Sequence, residues 1–371
     1  MQHPFPEVKK NFGFGCMRLP MKDGEVDHAE VCKMVDAFLE AGFNYFDTAH
    51  GYIGGKSELA LRECLTSRYP RDRYIFVNKL SGPYFKTQEE IRPFFQTQLE
   101  ACGVEYFDFY LMHAQNRDNF KDFKRCRAYE TAFEMRDEGL IRHVGLSFHD
   151  TADVLDQILT EYPQIEVVQL QFNYADYEDG GVQSRKCYEV CCKHGKPVIV
   201  MEPVKGGSLV NLPDEAKAIY DELGEMSYAS YAIRFAAGFE GIFMTLSGMG
   251  DMNMMNDNLS YMTDFQPLSD AERAAVDRVC SIIHAQHLIP CTACSYCTEQ
   301  CPVGIQIPDI LACLNATRAY SSRDPKERYA ELAQKGAVAS ACAECGACED
   351  ICPQHLPIRE LLKQAASTFE G

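Results

Sequence analysis

Four side chains that can take part in acid–base chemistry lie at or just after the ends of short apolar runs: Asp47, Tyr52, Lys79 and His113. Taken singly, Asp47 could cap a helix and Tyr52 could be a half-buried core residue. Lys79 could be a surface cation and His113 a hydrogen-bonded core histidine. Their joint occurrence at consecutive run ends favours one shared site. A phenol, an ammonium, a carboxylate and an imidazole can together donate a proton, lower the donor's pKa, balance a buried charge and hydrogen-bond an oxyanion.

A second constellation consists of two cysteine runs near the C-terminal end. Each run has the spacing C-x2-C-x2-C-x3-C followed by proline, and the runs begin at Cys291 and Cys342. This is the bacterial ferredoxin spacing, in which the fourth cysteine of one run binds the cluster of the other. The spacing predicts two [4Fe-4S] clusters, with ligands Cys291, Cys294, Cys297 and Cys352 for cluster I, and Cys342, Cys345, Cys348 and Cys301 for cluster II. Structural zinc is the alternative, but zinc takes four ligands per site and usually separates two C-x2-C pairs.

The elements that must position the first constellation are eight β-rich runs that alternate with helix-period stretches. The runs cover residues 12–19, 43–47, 74–80, 107–113, 143–148, 167–173, 198–203 and 242–248. Between the first two runs, apolar residues recur at i, i+3, i+4, i+7 and i+8 from Val31, which predicts a helix. Eight such units favour an α/β fold of the (β/α)8 TIM barrel type, whose active sites lie at the C-terminal ends of the strands. The alternative is a doubly wound open sheet, but its glycine fingerprint is absent beyond Gly13 and Gly15.

The cysteine runs belong to a separate, smaller domain. The dipeptide Gln266-Pro267 is a plausible boundary, and Ser269 with Glu272 forms a capping-box pattern that opens a helix. We therefore predict a barrel over residues 1–266 and a helix-rich, ferredoxin-like domain binding two [4Fe-4S] clusters over residues 267–371. Apolar residues at helical spacing between the two runs support this: Ile307, Ile310, Leu311 and Leu314. The ten cysteines outside the runs are interpreted as core residues.

Composition narrows the function classes. The 371-residue chain is 46% hydrophobic, enough to build a large core, which argues against disorder. Its net charge of −18 gives no general attraction for nucleic acid or anionic membranes. No apolar run is long enough to span a membrane, and the N-terminal residues lack the apolar core of a signal peptide. A cytoplasmic location is expected, where thiols stay reduced and serve metal binding or catalysis rather than disulfides.

The sequence resembles the aldo-keto reductase family over roughly residues 11–265. The resembling segments are Phe46-Asp-Thr-Ala-His-Gly-Tyr52, Val77-Asn-Lys79, Leu111-Met-His113, Gly145-Leu-Ser147 and the run that holds Gln169. The resemblance implies that Tyr52 donates a proton to the substrate carbonyl oxygen and that Lys79 lowers the pKa of Tyr52. It implies that Asp47 holds Lys79 and that His113 orients or polarises the carbonyl. A free tyrosine has a pKa of about 10, so an adjacent ammonium is needed for acid catalysis near neutrality.

Two glycine-rich loops are candidates for the cofactor phosphates, because barrel enzymes often bind phosphate after strands seven and eight. These loops contain Gly206 and Gly207 in one, and Ser247 and Gly248 in the other. By resemblance, Ser147 and Gln169 bind the nicotinamide carboxamide and Asn258 lies near the adenine.

Three departures from the family pattern bear on the cofactor. Phe148 replaces an asparagine, and Met201 stands where an aromatic residue is expected beneath the nicotinamide. The segment 248–258 contains Asp251 and Asp257 but no lysine or arginine. NAD(P)(H) is the expected cofactor, and the missing basic residues argue against a preference for NADP.

The resulting hypothesis is an iron-sulfur oxidoreductase of aldo-keto reductase type, from an anaerobic or microaerobic cell, that interconverts a carbonyl and an alcohol. Its partners are a small-molecule carbonyl or alcohol substrate and, if the clusters transfer electrons, an external electron carrier. A second hypothesis is a flavin- or ferredoxin-coupled oxidoreductase, with FMN held by the phosphate loops. A third is a non-enzymatic redox partner that uses the barrel as a docking scaffold. The complete set of four acid–base residues argues against the third.

Overall fold

The computed structural model describes residues 4–224, 226–318 and 324–371. Contacts divide the described residues into two compact units. The first unit comprises the chain up to Pro203 together with Ala229–Leu268. The second unit comprises Val204–Tyr228 and Ser269–Gly371. The strands are β1 (Phe12–Gly15), β2 (Met21–Lys22), β3 (Glu25–Val26), β4 (Tyr45–Asp47), β5 (Ile75–Leu80), β6 (Phe107–Gln115), β7 (Ile141–Phe148), β8 (Val167–Gln171), β9 (Val198–Met201) and β10 (Ile242–Ser247).

The helices follow the strands in regular alternation and then continue without strands toward the C-terminus. They are α1 (His28–Glu40), α2 (Lys56–Leu61), α3 (Ile91–Cys102), α4 (Asn119–Arg125), α5 (Ala128–Asp137), α6 (Ala152–Glu161), α7 (Ser184–Lys193), α8 (Asp214–Asp221), α9 (Tyr228–Ala237), α10 (Met252–Met262), α11 (Asp270–Ala285), α12 (Tyr296–Glu299), α13 (Ile307–Arg318), α14 (Pro325–Lys335), α15 (Ala347–Asp350) and α16 (Ile358–Phe369).

The first unit is a closed parallel barrel with strand order β1-β10-β9-β8-β7-β6-β5-β4. All eight predicted runs form its strands, so the predicted (β/α)8 fold is confirmed. The register pairs Asp47 with Val77 and Lys79 with Leu111, which brings the C-terminal ends of β4, β5 and β6 to one edge. The barrel interior admits no side chain at Gly145, where a Cβ would lie 2.6 Å from the carbonyl oxygen of Val167.

The opposite end of the barrel is filled by side chains from the N-terminal segment. The Phe5 ring lies 4.9 Å from the Phe109 ring and 4.9 Å from the Phe243 ring, measured between centroids. His143 hydrogen-bonds Glu166 through Nδ1 and Glu7 through Nε2, both at 2.7 Å. Apolar and ionic contacts therefore close this end, leaving the C-terminal edge for chemistry.

Helix starts follow the sequence signals. Asp27 caps α1 through the Glu30 amide, and the buried face of α1 consists of the predicted apolar stripe. The spacing of Thr87 and Glu90 in the sequence also predicts a capping box that opens a helix. The box is present, but it opens a short 3-10 turn that leads into α3. The Ser269–Glu272 capping box opens α11 as predicted. Local capping thus sets the boundaries of these helices.

The second unit is helical, as predicted for the C-terminal domain. Helix α8 packs on α11, and α13 packs on α14 and α16. Its core contains the predicted apolar residues of α13, and the partly buried Cys291, Cys301, Cys342 and Cys352 pack against that core. Residues 204–228 belong to this unit although they follow barrel strand β9, and the predicted boundary at 266/267 stays a prediction.

Three details differ from expectation. Strand β1 ends at Gly15 because Cys16–Arg18 turns into a 3-10 helix, and an unexpected hairpin of β2 and β3 follows. The interpretation of all ten remaining cysteines as core residues is wrong for Cys192, which is exposed, and for Cys32 and Cys280, which are half-buried. These residues lie on helix surfaces, where a cysteine can face solvent at little cost. Among the described residues, no helix is both long and apolar enough to cross a membrane.

Candidate active site

The C-terminal edge of the barrel holds a buried ion pair. Asp47 is the last residue of β4, Lys79 lies in β5, and the Lys79 Nζ is 2.6 Å from Asp47 Oδ1. The ammonium also donates to the carbonyl oxygen of Thr48 at 2.8 Å. The side chains are 0% and 4% exposed, so each charge depends on its partner.

Burial and pairing act against each other in this ion pair. Burial lowers the pKa of Lys79, and the facing carboxylate of Asp47 opposes that shift. Burial likewise raises the pKa of Asp47, while Lys79 and Gln169 oppose it. The pair thus holds a cation in the protein interior at the C-terminal edge of the barrel, where water screens its charge only weakly.

Tyr52 lies directly beside this cation. The Lys79 Nζ is 4.9 Å from the centroid of the Tyr52 ring, and Tyr52 is 8% exposed. A turn after β4 places the ring there: the Tyr52 amide donates to the Ala49 carbonyl oxygen, and the Ser57 amide donates to the Tyr52 carbonyl oxygen. The ammonium therefore lies over the face of the Tyr52 ring, where a cation is attracted by the ring's electron density.

His113 completes the group from β6. Its ring centroid is 6.0 Å from that of Tyr52. The β6–β7 register shifts between Met112 and Gln115, and Ala114 adopts a left-handed φ of 52°, so a bulge sets the direction of His113. Burial lowers the pKa of His113 well below its usual value, with further lowering by Lys79 and His149. The imidazole is therefore neutral at neutral pH.

Ser81 was not predicted, and it fixes the imidazole of His113. Its Oγ lies 2.6 Å from the His113 Nδ1, so the serine hydroxyl influences which ring nitrogen carries the proton. The only signal in the sequence is its position two residues after Lys79. Alternation along a strand would place Ser81 on the same face as Lys79, but β5 ends at Leu80, one residue before Ser81, so the strand pattern does not extend to it.

A second unpredicted group lies beneath Lys79. Glu58, 1% exposed, accepts hydrogen bonds from His50 Nδ1 at 2.7 Å and from Asn78 Nδ2 at 2.8 Å. Gln98 donates to the Lys79 carbonyl oxygen at 3.0 Å and to Asn78 Oδ1 at 3.0 Å. A buried glutamate with several donors holds the β5 backbone in place around Lys79. Asn78 could have been noticed as a polar residue inside an apolar run, whereas Glu58 and Gln98 carried no signal.

The residues expected at a nicotinamide carboxamide also lie at this edge. Gln169 Nε2 is 3.3 Å from Asp47 Oδ2, so Gln169 contacts the ion pair. Ser147 Oγ accepts the amide of Ala114 at 2.8 Å, which satisfies the donor freed by the bulge in β6. Met201 ends β9 and pairs in register with Gln171.

The loop after β10 is held by two of the expected cofactor residues. Ser247 donates to Asn258 Oδ1 at 3.0 Å, and Asn258 Nδ2 donates to the Met254 carbonyl oxygen at 2.9 Å. Both residues are buried, so they tie β10 to α10. A Cβ at Gly248 would lie 3.7 Å from the Cβ of Arg18.

Arg18 is a cation near this loop that no pattern in the sequence marks. It lies next to the Gly248 loop, and its guanidinium is 3.5 Å from Glu202. Arg18 follows β1 in the chain, far in sequence from segment 248–258. Only barrel closure, which pairs β1 with β10, brings the two segments together.

The other predicted phosphate loop, with Gly206 and Gly207, belongs to the second unit. Both glycines have left-handed φ values, 63° and 95°. The Gly207 amide donates to the Val204 carbonyl oxygen at 3.0 Å, and the Ser208 amide donates to the Lys205 carbonyl oxygen at 3.0 Å. Lys205 is buried at 8% exposure. The loop is a tight turn with a cation inside it.

The cysteines of the first predicted cluster lie near one another. The pKa of Cys297 is raised to about 12 by burial, with further raising by Cys294, Cys291, Cys352 and Cys348. Burial also raises the pKa of Cys352, while the amides of Leu356, Gln354 and His355 counteract it. These amides can donate hydrogen bonds to a Cys352 thiolate. Hydrogen bonds to the sulfurs of an iron-sulfur cluster help to set its reduction potential.

The second predicted set is more open to solvent. Burial raises the pKa of Cys348 to about 11, and Glu349 and Cys342 raise it further. Cys345 is exposed, and Cys301 and Cys342 are half-buried. Within the described parts of the chain, no three Cys, His, Asp or Glu side chains lie close enough together to hold a single metal ion. A cubane binds one cysteine per iron and spreads its four thiolates, so the thiol-rich core fits clusters of this size.

Known proteins resemble this chain over part of its length. An NADH-specific methylglyoxal reductase of Escherichia coli is 26% identical over 210 residues, which cover 51% of this chain and 61% of that protein. A 4-dihydromethyl-trisporate dehydrogenase of Mucor mucedo is 28% identical over 191 residues, covering 44% of this chain and 56% of that protein. An aldo-keto reductase of Klebsiella pneumoniae solved with NADPH has a TM-score of 0.59 at 19% identity, covering 73% of this chain and 95% of that chain. At this identity the structural likeness establishes the fold.

Family profiles cover both parts of the sequence. The profile described as 4Fe-4S dicluster domain matches residues 290–356, the region of the two cysteine runs. The profile described as Aldo/keto reductase family matches residues 11–280, most of the chain and all of the barrel strands. This chain is therefore an oxidoreductase that belongs to the aldo/keto reductase family and carries a C-terminal 4Fe-4S dicluster domain.

Proposed function

We propose that this oxidoreductase interconverts a small-molecule carbonyl and an alcohol, with Tyr52 as general acid and base. The observation that carries the proposal is the buried Lys79 ammonium, paired with Asp47 at 2.6 Å and 4.9 Å from the Tyr52 ring centroid. A bound nicotinamide supplies the hydride in this chemistry. The remaining requirement is a proton for the oxygen that becomes negative, and Tyr52 is the hydroxyl placed beside a cation.

Each of the four residues has a distinct part in the proposed reduction. Tyr52 donates its phenolic proton to the substrate oxygen, and Lys79 stabilises the phenolate that remains. Asp47 keeps Lys79 in place and balances its charge. His113, neutral because burial lowers its pKa, hydrogen-bonds the substrate oxygen and directs the carbonyl toward Tyr52. In the reverse direction the Tyr52 phenolate accepts the proton of the alcohol.

The proposed cofactor is a nicotinamide dinucleotide. Ser147 and Gln169 hold the carboxamide, Met201 contacts the nicotinamide ring, and Asn258 lies toward the adenine. The Ser247–Gly248 segment receives the phosphates. Segment 248–258 has no basic residue, and the neighbouring cation Arg18 is paired with Glu202, so NADH serves at least as well as NADPH. The NADH specificity named for the relative from Escherichia coli supports this choice.

The dicluster domain is proposed to hold two [4Fe-4S] clusters, with Cys291, Cys294, Cys297 and Cys352 on cluster I. Cys294, Cys291 and Cys352 raise the pKa of Cys297 more than Cys348 of the other set does, which supports this ligand set. Cluster II takes Cys342, Cys345, Cys348 and Cys301, and exposed Cys345 is the point at which an external electron carrier would approach. We place the protein in the cytoplasm, where these thiols remain reduced.

The test is the Tyr52→Phe variant of the full chain, assayed anaerobically with a panel of aldehydes and ketones and with both NADH and NADPH. Loss of the general acid is expected to lower kcat by roughly 10²–10⁴-fold, while the dissociation constant of NADH changes little. The matched control is Tyr188→Phe, which removes a hydroxyl on helix α7, outside the site, that donates to the backbone carbonyl oxygen of Glu240. Turnover of Tyr52→Phe equal to that of the control would rule out Tyr52 as the acid.

A further inference from the structure

Two cysteines from separate helices of the barrel unit lie side by side, away from the acid–base residues. Cys32 is in α1, and Cys64 is in a π-helical turn, Arg62–Thr66, that continues α2. Helix α1 packs on this turn. The two residues belong to neither cysteine run, and the proposed reduction uses neither thiol.

Backbone contacts hold Cys64 against the turn of α1 that carries Cys32. The Cys64 thiol donates to the carbonyl oxygen of His28 at 3.3 Å. In an α-helix the carbonyl oxygen of one residue accepts the amide four residues later, so this oxygen faces the Cys32 amide. The Arg68 Nη1 lies 3.4 Å from the carbonyl oxygen of Cys32 and 3.0 Å from that of Cys64. One guanidinium nitrogen therefore joins the two backbones.

The two thiols also interact directly. Burial raises the pKa of the Cys64 thiol, and a hydrogen bond with the Cys32 thiol raises it further. A disulfide needs Cβ atoms about 3.5–4.5 Å apart. Thiols that hydrogen-bond each other from two packed helices are already close to that arrangement.

Access differs between the two sulfurs. Cys32 is half-buried, whereas Cys64 is fully buried. A reagent from solution therefore meets Cys32 first. The Arg68 guanidinium, which pairs with Asp36 at 2.9 Å, opposes the raised pKa of Cys64. It thereby favours the thiolate form, which is the nucleophile in thiol chemistry.

We propose that Cys32 and Cys64 are a redox-active thiol pair that low-molecular-weight disulfides oxidise to a disulfide. In the first step the Cys32 thiolate attacks one sulfur of the small disulfide, and a mixed disulfide forms as one small thiolate leaves. In the second step the Cys64 thiol loses its proton, its sulfur attacks the Cys32 sulfur, and the second small thiolate leaves. The protein pair gives up two electrons and two protons, and the small disulfide takes them up as two thiols.

The new bond would close residues 32–64 into a loop. That loop contains β4, Tyr52 and α2. A cross-link restricts the unfolded chain more than the folded one, so the oxidised barrel is expected to be the more stable form. The melting temperature of the barrel should rise by several degrees on oxidation, and amide exchange within residues 32–64 should slow.

A second group of neighbouring thiols provides an internal reference. Burial raises the pKa of Cys191, and Cys187 raises it further, so these two cysteines are also close. They lie on successive turns of the same helix, α7. Cβ atoms at that spacing are about 5–6 Å apart, too far for a disulfide without distortion of the helix. Cys187 and Cys191 are therefore expected to stay reduced when Cys32 and Cys64 are oxidised.

The experiment uses the anaerobically purified full chain with its clusters in place, incubated with glutathione disulfide. Unchanged cluster absorbance during the incubation shows that no ligand cysteine has been released. Free thiols are then alkylated in denaturant, and the digest is mapped by mass spectrometry. We expect one linked peptide pair that joins Cys32 to Cys64, lacks two hydrogen atoms and disappears after treatment with excess dithiothreitol.

Single variants separate the two steps. Cys64→Ser is expected to lose the link and to retain glutathione on Cys32, because the second step is blocked. Cys32→Ser should lose the link and retain no glutathione on Cys64, because Cys64 is fully buried. The matched control is Cys191→Ser, another fully buried thiol of a barrel helix, which should form the link as the unaltered chain does.

Three results would overturn the proposal. These are glutathione retained on Cys32 of the unaltered chain without a link, no oxidation of either thiol, and links between other cysteines in comparable yield. If a serine variant does not fold, the peptide map of the unaltered chain still decides. None of these results bears on the role of Tyr52, because the thiol pair takes no part in the proposed reduction.

Discussion

The barrel edge and the dicluster domain bury ionisable groups in opposite ways. At the barrel edge, Lys79 meets Asp47 at 2.6 Å, so the charge on each is balanced by the protein itself. In the dicluster domain, Cys297 is buried with other thiols around it, and its pKa is raised to about 12, first by burial. Such thiols cannot all ionise without added cations.

The contrast indicates which region is complete by itself. The barrel site has its carboxylate, ammonium, imidazole and supporting hydrogen bonds already in place, so it is organised before any substrate arrives. The dicluster domain gathers acceptors that iron must satisfy, and metal binding then contributes to its folding free energy. The two regions should therefore respond differently to loss of iron, to loss of one charge and to pH.

The largest expected effect is the response to iron removal. Anaerobic chelation under reducing conditions should abolish amide protection across the helices α12–α16 while the barrel strands β4–β10 keep theirs. Hydrogen exchange measured by mass spectrometry before and after chelation checks this. Cys297→Ser should behave as the chelated protein does, whereas Cys192→Ser, at an exposed cysteine outside the runs, should behave as the unaltered protein. Uniform loss of protection in both regions would contradict the contrast.

The next effect is loss of one charge from the barrel pair. Lys79→Met leaves Asp47 buried and uncompensated, which should destabilise the barrel by about 3–5 kcal/mol. The control is Lys56→Met, because Lys56 pairs with Glu25 where the side chains are 38% and 74% exposed; its cost should be about 0–1 kcal/mol. Thermal unfolding of both variants measures the difference. Equal melting temperatures would mean that Asp47 is satisfied without Lys79.

The smallest effect concerns the closed end of the barrel. Burial lowers the pKa of His143, but the carboxylates of Glu166 and Glu7 outweigh burial and raise the pKa above its usual value. Because the folded-state pKa of His143 is raised, its protonated form stabilises the folded protein. This stabilisation is fully present at pH values below the unfolded-state pKa of about 6.5, and it is lost as pH rises through the folded-state pKa. The pKa of Glu166 is lowered despite burial, chiefly by His143, so its contribution is lost on acidification.

We therefore expect the stabilising effect of His143 to be greatest in mildly acidic solution. The melting temperature of His143→Gln should fall below that of the unaltered chain by a few degrees near pH 6, and the gap should narrow by pH 9. A double variant with Glu166→Gln should show little of this pH dependence. If the difference in melting temperature instead widened with rising pH, the neutral form of His143, and not the protonated form, would stabilise the folded protein.

The sequence by itself determined both architectures. Strand and helix periodicity are local properties, so the eight barrel strands and the helix opened by Ser269–Glu272 could be predicted from short windows of sequence. The cysteine runs carry their chemistry in their spacing, because three ligands within seven residues already surround a cubane. The positions of Asp47 and Lys79 near strand ends predicted that they would meet at one edge of a parallel barrel.

Only the tertiary structure decided which distant segments support those residues. No local sequence pattern specifies which distant segments come into contact. This holds for the contacts of Ser81 with His113, of Glu58 with Asn78 in β5, and of Arg18 with Gly248. The exposure of Cys192 depends in the same way on which face of α7 meets the barrel. The contact of Cys64 with the carbonyl oxygen of His28 joins residues far apart in the chain. Such contacts follow from how whole elements pack, so they become visible only once the chain has closed on itself.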